Sequence, residues 1–135
     1  MKTDKKLIIP QKAVIKKGDR YLILLRSKSE TAFPGMWDFP GGKLELGEEP
    51  FLGVEREVRE ETGLVVKAEK VVFTYDYERP DDVLHFVLYA VTVVVGDLER
   101  ITLSKEHSEF RFATREEILE LPAMPYMFDF LNKQS

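Results

Sequence analysis

The spacing of apolar residues in the middle of the chain predicts one well-defined helix. Phe51, Val54 and Val58 recur at intervals of three and four residues, which places them on one face of an α-helix. The proline before Phe51 suits a first helical position, because its missing N–H would be unpaired there, and Gly63 can supply a left-handed stop. We therefore predict a helix over residues 50–62.

Runs rich in β-branched and aromatic residues predict strands on both sides of this helix. Before it, a polar turn at residues 17–19 divides two such runs into a hairpin, and after it a turn-rich connector at residues 78–82 joins two long runs. Residues 26–36 and 37–48 are predicted to be loops. The predicted strands cover residues 8–16, 20–25, 64–77, 83–95 and 108–113.

The end of the chain predicts further helices. Thr114 can cap a helix over residues 115–121 with Glu117 in the capping-box position, and residues 125–132 can form a final short helix. Strands, a helix, more strands and then helices indicate the α/β class, with a mixed β-sheet covered by helices on both faces as an α/β/α sandwich. The length of 135 residues predicts one domain over residues 1–135.

Composition limits the function classes. A hydrophobic content of 44% and a charged content of 33% are typical of a soluble globular protein, and the net charge of −4 gives no general attraction to nucleic acid. The longest apolar run, residues 86–95, is much shorter than a bilayer span. The absence of cysteine excludes disulfides and thiolate chemistry. We expect a cytoplasmic protein that binds neither a nucleic-acid polymer nor a membrane.

Three carboxylates share one face of the predicted central helix. Glu57, Glu60 and Glu61 fall at i, i+3 and i+4, and each like-charge pair would cost the helix roughly 0.2–0.5 kcal/mol if nothing neutralised it. A divalent cation would remove that cost, and a small cluster of oxygen ligands suits Mg²⁺ or Mn²⁺. The alternative is a solvated acidic face relieved by Arg56 and Arg59.

The loop before the helix brings paired glycines close to these carboxylates. Gly41 and Gly42 allow the backbone to approach a ligand without a side chain in the way, so that a carbonyl there can join a metal shell. The alternative is that the glycines form only a tight turn, and that Glu48 is only a favourable charge at the start of the helix.

Residues 42–64 read GKLELGEEPFLGVEREVREETGL. The spacing of Gly42, Glu48, the Arg56–Val58 triplet, the Glu60–Glu61 pair and the final Gly-Leu resembles the complete Nudix box, and the chain resembles the MutT-related branch of the Nudix hydrolase family. The resemblance implies the Nudix α/β/α fold and metal-dependent hydrolysis of a small molecule that contains a nucleoside diphosphate.

The resemblance also assigns roles to particular residues. It implies that the Gly41 carbonyl binds metal together with Glu57, Glu60 and Glu61, and that Arg56 pairs with Glu48 to brace the loop within the catalytic site.

A further carboxylate is expected from a late loop. Glu106 resembles the additional ligand or base that family members contribute there, with Glu109 as its rival. For the general base we favour Glu60 or Glu106 over Glu57 or Glu61.

Candidate substrate contacts lie outside the box. Arg26 could grip phosphate with a bidentate fork, and Lys43 could act as a nearer point charge. Phe33 or Trp37 could stack on a nucleobase. The alternatives are a surface position for Arg26 and core packing for the aromatic residues.

The favoured substrate is a nucleoside triphosphate, normal or damaged, cleaved to nucleoside monophosphate and pyrophosphate. This follows from the resemblance of the Trp37–Gly42 lead-in to the triphosphate-cleaving branch. ADP-ribose or another nucleoside diphosphate sugar is the alternative, because Pro80 lies close to the downstream proline associated with ADP-ribose hydrolases. A second alternative, a non-catalytic nucleotide-binding Nudix module, would be expected to have lost box carboxylates. A homodimer is possible through Tyr126, Phe128 and Phe130, which could equally close the core.

Overall fold

A computed structural model describes residues 4–134, and residues 1–3 and 135 of the predicted domain lie outside this range. Strands, a helix, more strands and then two helices follow one another in the predicted order. The elements are β1 (Lys6–Ile8), β2 (Pro10–Val14), β3 (Lys16–Lys17), β4 (Arg20–Arg26), β5 (Trp37–Asp38), β6 (Gly41–Lys43), α1 (Pro50–Thr62), β7 (Val65–Glu78), β8 (Asp82–Val95), β9 (His107–Thr114), α2 (Arg115–Leu119) and α3 (Pro125–Asn132).

The strands form two sheets. In the first, β8 pairs in parallel with β1 and β2 and antiparallel with β7, and β2 pairs antiparallel with β6. In the second, β4 pairs antiparallel with β3, β5 and β9. The first sheet is mixed, as predicted.

Alternation along the central strands divides the core between two faces. On β4, Tyr21 and Ile23 pack against α2 and α3, whereas Leu22 and Leu24 pack on the side of α1. Side chains of a strand point alternately to opposite faces, so one strand supports helices on both sides. The predicted α/β/α sandwich is confirmed.

The central helix has the predicted bounds. Glu49 is its N-cap and accepts a hydrogen bond from the backbone N–H of Leu52, and Gly63 ends it with a φ of 80°. The expected capping box between Thr114 and Glu117 is also present, although α2 ends at Leu119 instead of residue 121.

The loop predicted over residues 37–48 contains two short strands. β5 pairs with β4, and β6 pairs with β2. Strands of two and three residues are too short to show alternation in the sequence, so their partners define them. These pairings fix the paired glycines in a sheet.

The aromatic residues of α3 close the core. Tyr126 and Phe130 are buried, and Phe128 packs against the same cluster. These side chains pack in the core and do not supply the predicted dimer contact. The homodimer itself stays a prediction. Within residues 4–134, no helix is both long enough and apolar enough to span a membrane.

Candidate active site

A cavity of about 590 Å³ opens beside the paired glycines. Its lining combines an apolar wall from the α3-side core with charged groups from several elements. The apolar residues are Ile8, Phe33, Leu84, Phe86 and Met124. The charged residues are Glu30, Asp38, Glu45, Glu57, Glu61, Glu106, Lys12, Arg26, Lys43 and Arg79. Carboxylates outnumber cations, so a polyanionic substrate would need added positive charge.

The helix brings two of its three predicted carboxylates to this cavity. Glu57 and Glu61 are four residues apart, lie on one face of α1 and line the cavity. Glu60 is exposed and accepts hydrogen bonds from Arg56 Nη1 at 3.1 and 3.2 Å. Glu60 does not line the cavity in this conformation, so it could reach a metal there only by leaving Arg56.

Burial determines the electrostatics of the two lining carboxylates. Glu61 is buried and accepts a hydrogen bond of 2.9 Å from the Gly41 backbone N–H. Burial raises the pKa of Glu61 to about 8 and outweighs the nearby Lys12 ammonium, which lowers the pKa. Burial likewise raises the pKa of Glu57. Both groups would be stabilised as anions by a cation in the cavity.

The paired glycines are required by close contacts. Gly41 has a φ of 143°, and a Cβ there would lie 1.9 Å from the Gln11 carbonyl oxygen. A Cβ on Gly42 would lie 2.2 Å from Glu57 Oε2. The glycines therefore let the sheet and the helix carboxylates approach each other, which a tight turn alone would not require.

A buried charged network lies behind the glycines. The Lys12 ammonium donates to Asp38 Oδ2 at 2.9 Å and to the Gly41 carbonyl at 3.3 Å. The Tyr126 hydroxyl donates to Asp38 Oδ1 and accepts from the Phe39 N–H at 3.1 Å. The carbonyl expected to bind metal is thus tied through Lys12 and Asp38 to α3.

Arg56 makes the contacts expected of a brace. Its Nε donates to Glu48 Oε2 at 2.7 Å and its Nη2 to Glu48 Oε1 at 3.2 Å, and Nη1 lies 2.9 Å from Glu57 Oε1. These hydrogen bonds lower the pKa of Glu48. Arg56 therefore connects the loop to a cavity carboxylate.

The late loop contributes Glu106 and a residue that sequence reasoning gave little weight. Glu106 lines the cavity, whereas Glu109 is exposed, lies 3.8 Å from Arg111 and does not line it. His107 is buried, and one of its ring nitrogens lies within 4.8 Å of carboxylate oxygens of Glu61 and Glu106. This donor set fits a divalent metal ion.

Three of the four predicted substrate-binding residues line the cavity. Arg26, Lys43 and Phe33 line the cavity, and Arg26 Nε donates to the Ala32 carbonyl at 3.0 Å. Trp37 does not line it, because its ring is buried in the α3-side core beneath the Arg111 guanidinium. Of the two predicted stacking residues, only Phe33 is in position to contact a ligand in this cavity.

Several residues at the site had no usable signal in the sequence. Lys12 sits in a β-rich run where a lysine is ordinarily exposed, and Tyr126 looked like one core aromatic among several. Asp38 lies within the Trp37–Gly42 segment, but the sequence assigned it no role. The position of His107 depends on strand pairing, which the sequence does not show.

Comparison with known proteins agrees with the family that the sequence motif resembles. The family model described as NUDIX domain matches residues 12–134. An 8-oxo-dGTP diphosphatase from Haemophilus influenzae is 29% identical over 94 residues, which cover 70% of this chain and 69% of that protein. An ADP-ribose pyrophosphatase from Methanocaldococcus jannaschii is 30% identical over 99 residues, covering 72% of this chain and 57% of that protein.

A solved structure is similar over almost the whole chain. The crystal structure of a MutT protein from Methanosarcina mazei is 31% identical, with a TM-score of 0.85, and the match covers 98% of this chain and 95% of that one. Together with the family match, this similarity shows that the chain belongs to the Nudix family as a MutT-related hydrolase acting on phosphoanhydride bonds.

Proposed function

We propose that this hydrolase uses a divalent metal ion, Mg²⁺ or Mn²⁺, to cleave a nucleoside triphosphate to nucleoside monophosphate and pyrophosphate. The observation that carries the proposal is the composition of the cavity, in which a wall of carboxylates, with Asp38 and Glu61 buried, meets an apolar wall. A nucleotide has the complementary character, since its base is planar and apolar on its faces and its phosphates require cations.

The carboxylate wall would hold the metal. Glu61 and Glu106 would supply oxygen ligands, and Gly41 lines the same cavity, with its carbonyl accepting from Lys12 at 3.3 Å. When bound, the metal neutralises phosphate charge and acidifies the attacking water. Glu60 joins this set only if its side chain leaves Arg56.

Glu57 is the general base that this geometry favours. It lines the cavity and does not belong to the Glu61, Glu106 and His107 group. Its Oε1 lies 2.9 Å from Arg56 Nη1, so Oε2 is the oxygen that would take the proton. Its raised pKa suits a group that must accept one. This changes the sequence-based preference for Glu60 or Glu106, because Glu60 lies outside the lining and Glu106 lies among the metal donors.

The residues around the cavity position the substrate. Arg26 and Lys43 would contact phosphate oxygens, and Phe33 would lie against the base. In the reaction the water oxygen would bond to one of the two phosphorus atoms of the α–β anhydride and pass its proton to Glu57. The bridging oxygen stays with the other phosphorus, and nucleoside monophosphate and pyrophosphate separate.

Product analysis tests the proposal. A panel of nucleoside triphosphates and ADP-ribose is incubated with protein and Mg²⁺ or Mn²⁺ with pyrophosphatase omitted. We expect equal amounts of nucleoside monophosphate and pyrophosphate from a triphosphate, and no turnover in a chelator. Orthophosphate appearing first would overturn the assignment, and cleavage of ADP-ribose alone would transfer it to the diphosphate-sugar class.

Matched variants test the roles of the carboxylates. Glu57→Gln should lower turnover about 10²- to 10⁴-fold, as expected for loss of a general base. Glu109→Gln, a nearby carboxylate outside the cavity, should leave turnover unchanged. A Glu57→Gln variant with full turnover would exclude Glu57 as the base.

A further inference from the structure

His107 is buried without a hydrogen-bond partner for one of its ring nitrogens. The residue is 6% exposed, and its Nδ1 finds no partner within residues 4–134. A buried polar atom in this state is costly, and most such atoms in native proteins are paired with protein, water or an ion. The unpaired nitrogen therefore needs an explanation.

Two carboxylates lie close enough to His107 to bind the same metal ion. One ring nitrogen, one Glu61 oxygen and one Glu106 oxygen all lie within 4.8 Å of one another. Two ligands of one ion with bonds of about 2.0–2.2 Å lie at most ~4.4 Å apart, so small movements bring these atoms into range. Glu106 is exposed and has the freedom to make such a movement.

A strand irregularity directs His107 toward this group. In the pairing of β4 with β9, Leu25 lies opposite Glu109, but Arg26 lies opposite His107, so Ser108 is an extra residue in β9. Without this bulge, Ser108 would lie opposite Arg26. Bulges re-aim side chains and are common beside active sites.

The His107 side chain lies on the face of the sheet that packs against α1. Directly opposed residues of an antiparallel pair place their side chains on the same face of the sheet. Leu24 and its partner Phe110 pack in the core on the α1 side, and Arg26 follows Leu24 at the same alternation. The bulge therefore gives His107 the face toward α1, where Glu61 is held.

We propose that His107 is an imidazole ligand of the divalent ion bound by Glu61 and Glu106, making this a mixed nitrogen and oxygen centre that favours first-row transition ions such as Mn²⁺ and Co²⁺ over Mg²⁺. Imidazole binds transition ions well, whereas Mg²⁺ prefers oxygen ligands and retains its waters. The inference rests on the metal dependence in the proposed function, but it concerns binding and needs no nucleotide.

Metal binding without nucleotide tests the proposal. The wild-type protein is compared with His107→Gln and His107→Asn, and His85→Gln serves as a matched control, because His85 is the other histidine of the chain and pairs with Asp76 away from the cavity. Titration calorimetry should show Mn²⁺ and Co²⁺ affinity lowered at least tenfold in the His107 variants, and Mg²⁺ affinity changed less than threefold. His85→Gln should change none of them.

A spectroscopic measurement separates ligation from a structural effect. Electron spin-echo modulation of bound Mn²⁺ should show a directly coordinated nitrogen in the wild type and in His85→Gln, and none in a His107 variant. Circular dichroism in chelator checks folding. If both His107 variants unfold, the wild-type spectrum alone decides, and bound Mn²⁺ without nitrogen coupling would overturn the proposal.

Two outcomes keep this inference separate from the proposed function. Equal losses of Mn²⁺ and Mg²⁺ affinity in the His107 variants would mean a structural role and would refute the ligand assignment, even if the wild type hydrolyses triphosphates. Nitrogen ligation in a protein that cleaves no triphosphate would support the ligand and refute the proposed reaction.

Discussion

The stability of the metal-free protein should fall as the pH rises through the neutral range, because Glu61 must ionise inside the protein. Its pKa is raised to about 8 by burial, against an ordinary value of 4.5. A carboxyl with a raised folded-state pKa contributes stability that is fully present below 4.5 and is lost as the pH rises through 8. Metal-free protein should therefore become less stable over this window.

The titration of His107 limits the pH range in which the effect of Glu61 can be measured alone. Burial lowers the pKa of His107 to about 4 from an ordinary 6.5, so its contribution rises with pH between these values and opposes that of Glu61. Above pH 6.5 the His107 contribution changes by only about 0.4 kcal/mol more, and it is the same in both proteins that the assay compares. Between pH 6.5 and 9 the Glu61 carboxyl should cost roughly 2 kcal/mol of unfolding free energy, at about 1.36 kcal/mol per pKa unit.

The assay compares wild type with Glu61→Gln in chelator. The glutamine can still accept a hydrogen bond from the Gly41 N–H but has no proton to lose. Thermal unfolding at pH 6.5 and 9 should show the wild type falling by roughly 7 °C relative to the variant, from about 2.1 cal/mol/K of unfolding entropy per residue. Parallel pH profiles of the two proteins would refute the reasoning, since the burial of Glu61 would then carry no titration penalty.

Further variants test other parts of the site. Gly42→Ala should lower turnover at least tenfold at saturating metal without unfolding the protein, because its Cβ would lie 2.2 Å from Glu57 Oε2, and unchanged kinetics would show that the contact relaxes. Lys12→Met should cost about 3 kcal/mol, the low end for breaking a buried ion pair, because Asp38 keeps the Tyr126 hydroxyl and the Arg26 guanidinium at 3.7 Å. In urea unfolding, the double variant Lys12→Met/Asp38→Asn should lose less unfolding free energy than the two single variants lose together. Strictly additive losses would exclude coupling between Lys12 and Asp38. Arg56→Lys should raise the metal concentration for half-maximal activity about tenfold or more, because a single ammonium cannot replace the guanidinium fork, and a turnover loss with unchanged metal dependence would exclude the bracing role.

The sequence predicted those parts of the molecule that local chemistry determines. The bounds of α1 followed from an apolar spacing between a proline and Gly63, and the structure has the same bounds. The Arg56 and Glu48 contact and the presence of Glu106 at the cavity followed from a recognisable motif and a late loop. The first two depend on residues close together in the sequence, whereas Glu106 was predicted from the family resemblance alone.

The sequence could not predict features that depend on distant pairing. Lys12 and Asp38 are 26 residues apart and meet only because β2 and β5 are brought together in the fold. Glu60 has the same spacing signal as its neighbours, but it is exposed, pairs with Arg56 and does not line the cavity. His107 is re-aimed by a bulge that no alternation pattern reveals.

The same burial that suits this site for metal makes it unfavourable without metal. Glu61 is held against the Gly41 N–H by a helix and a strand that approach closely, so its charge cannot be relieved by moving into water. A cation that binds only the folded state stabilises it by RT ln(1 + [L]/Kd), about 2.7 kcal/mol at a hundred times Kd. Because ionised Glu61 is the form that binds, this stabilisation should increase with pH up to about 8 and offset the loss in the metal-free protein. If the proposed metal binds here, its affinity is therefore coupled to folding stability through Glu61.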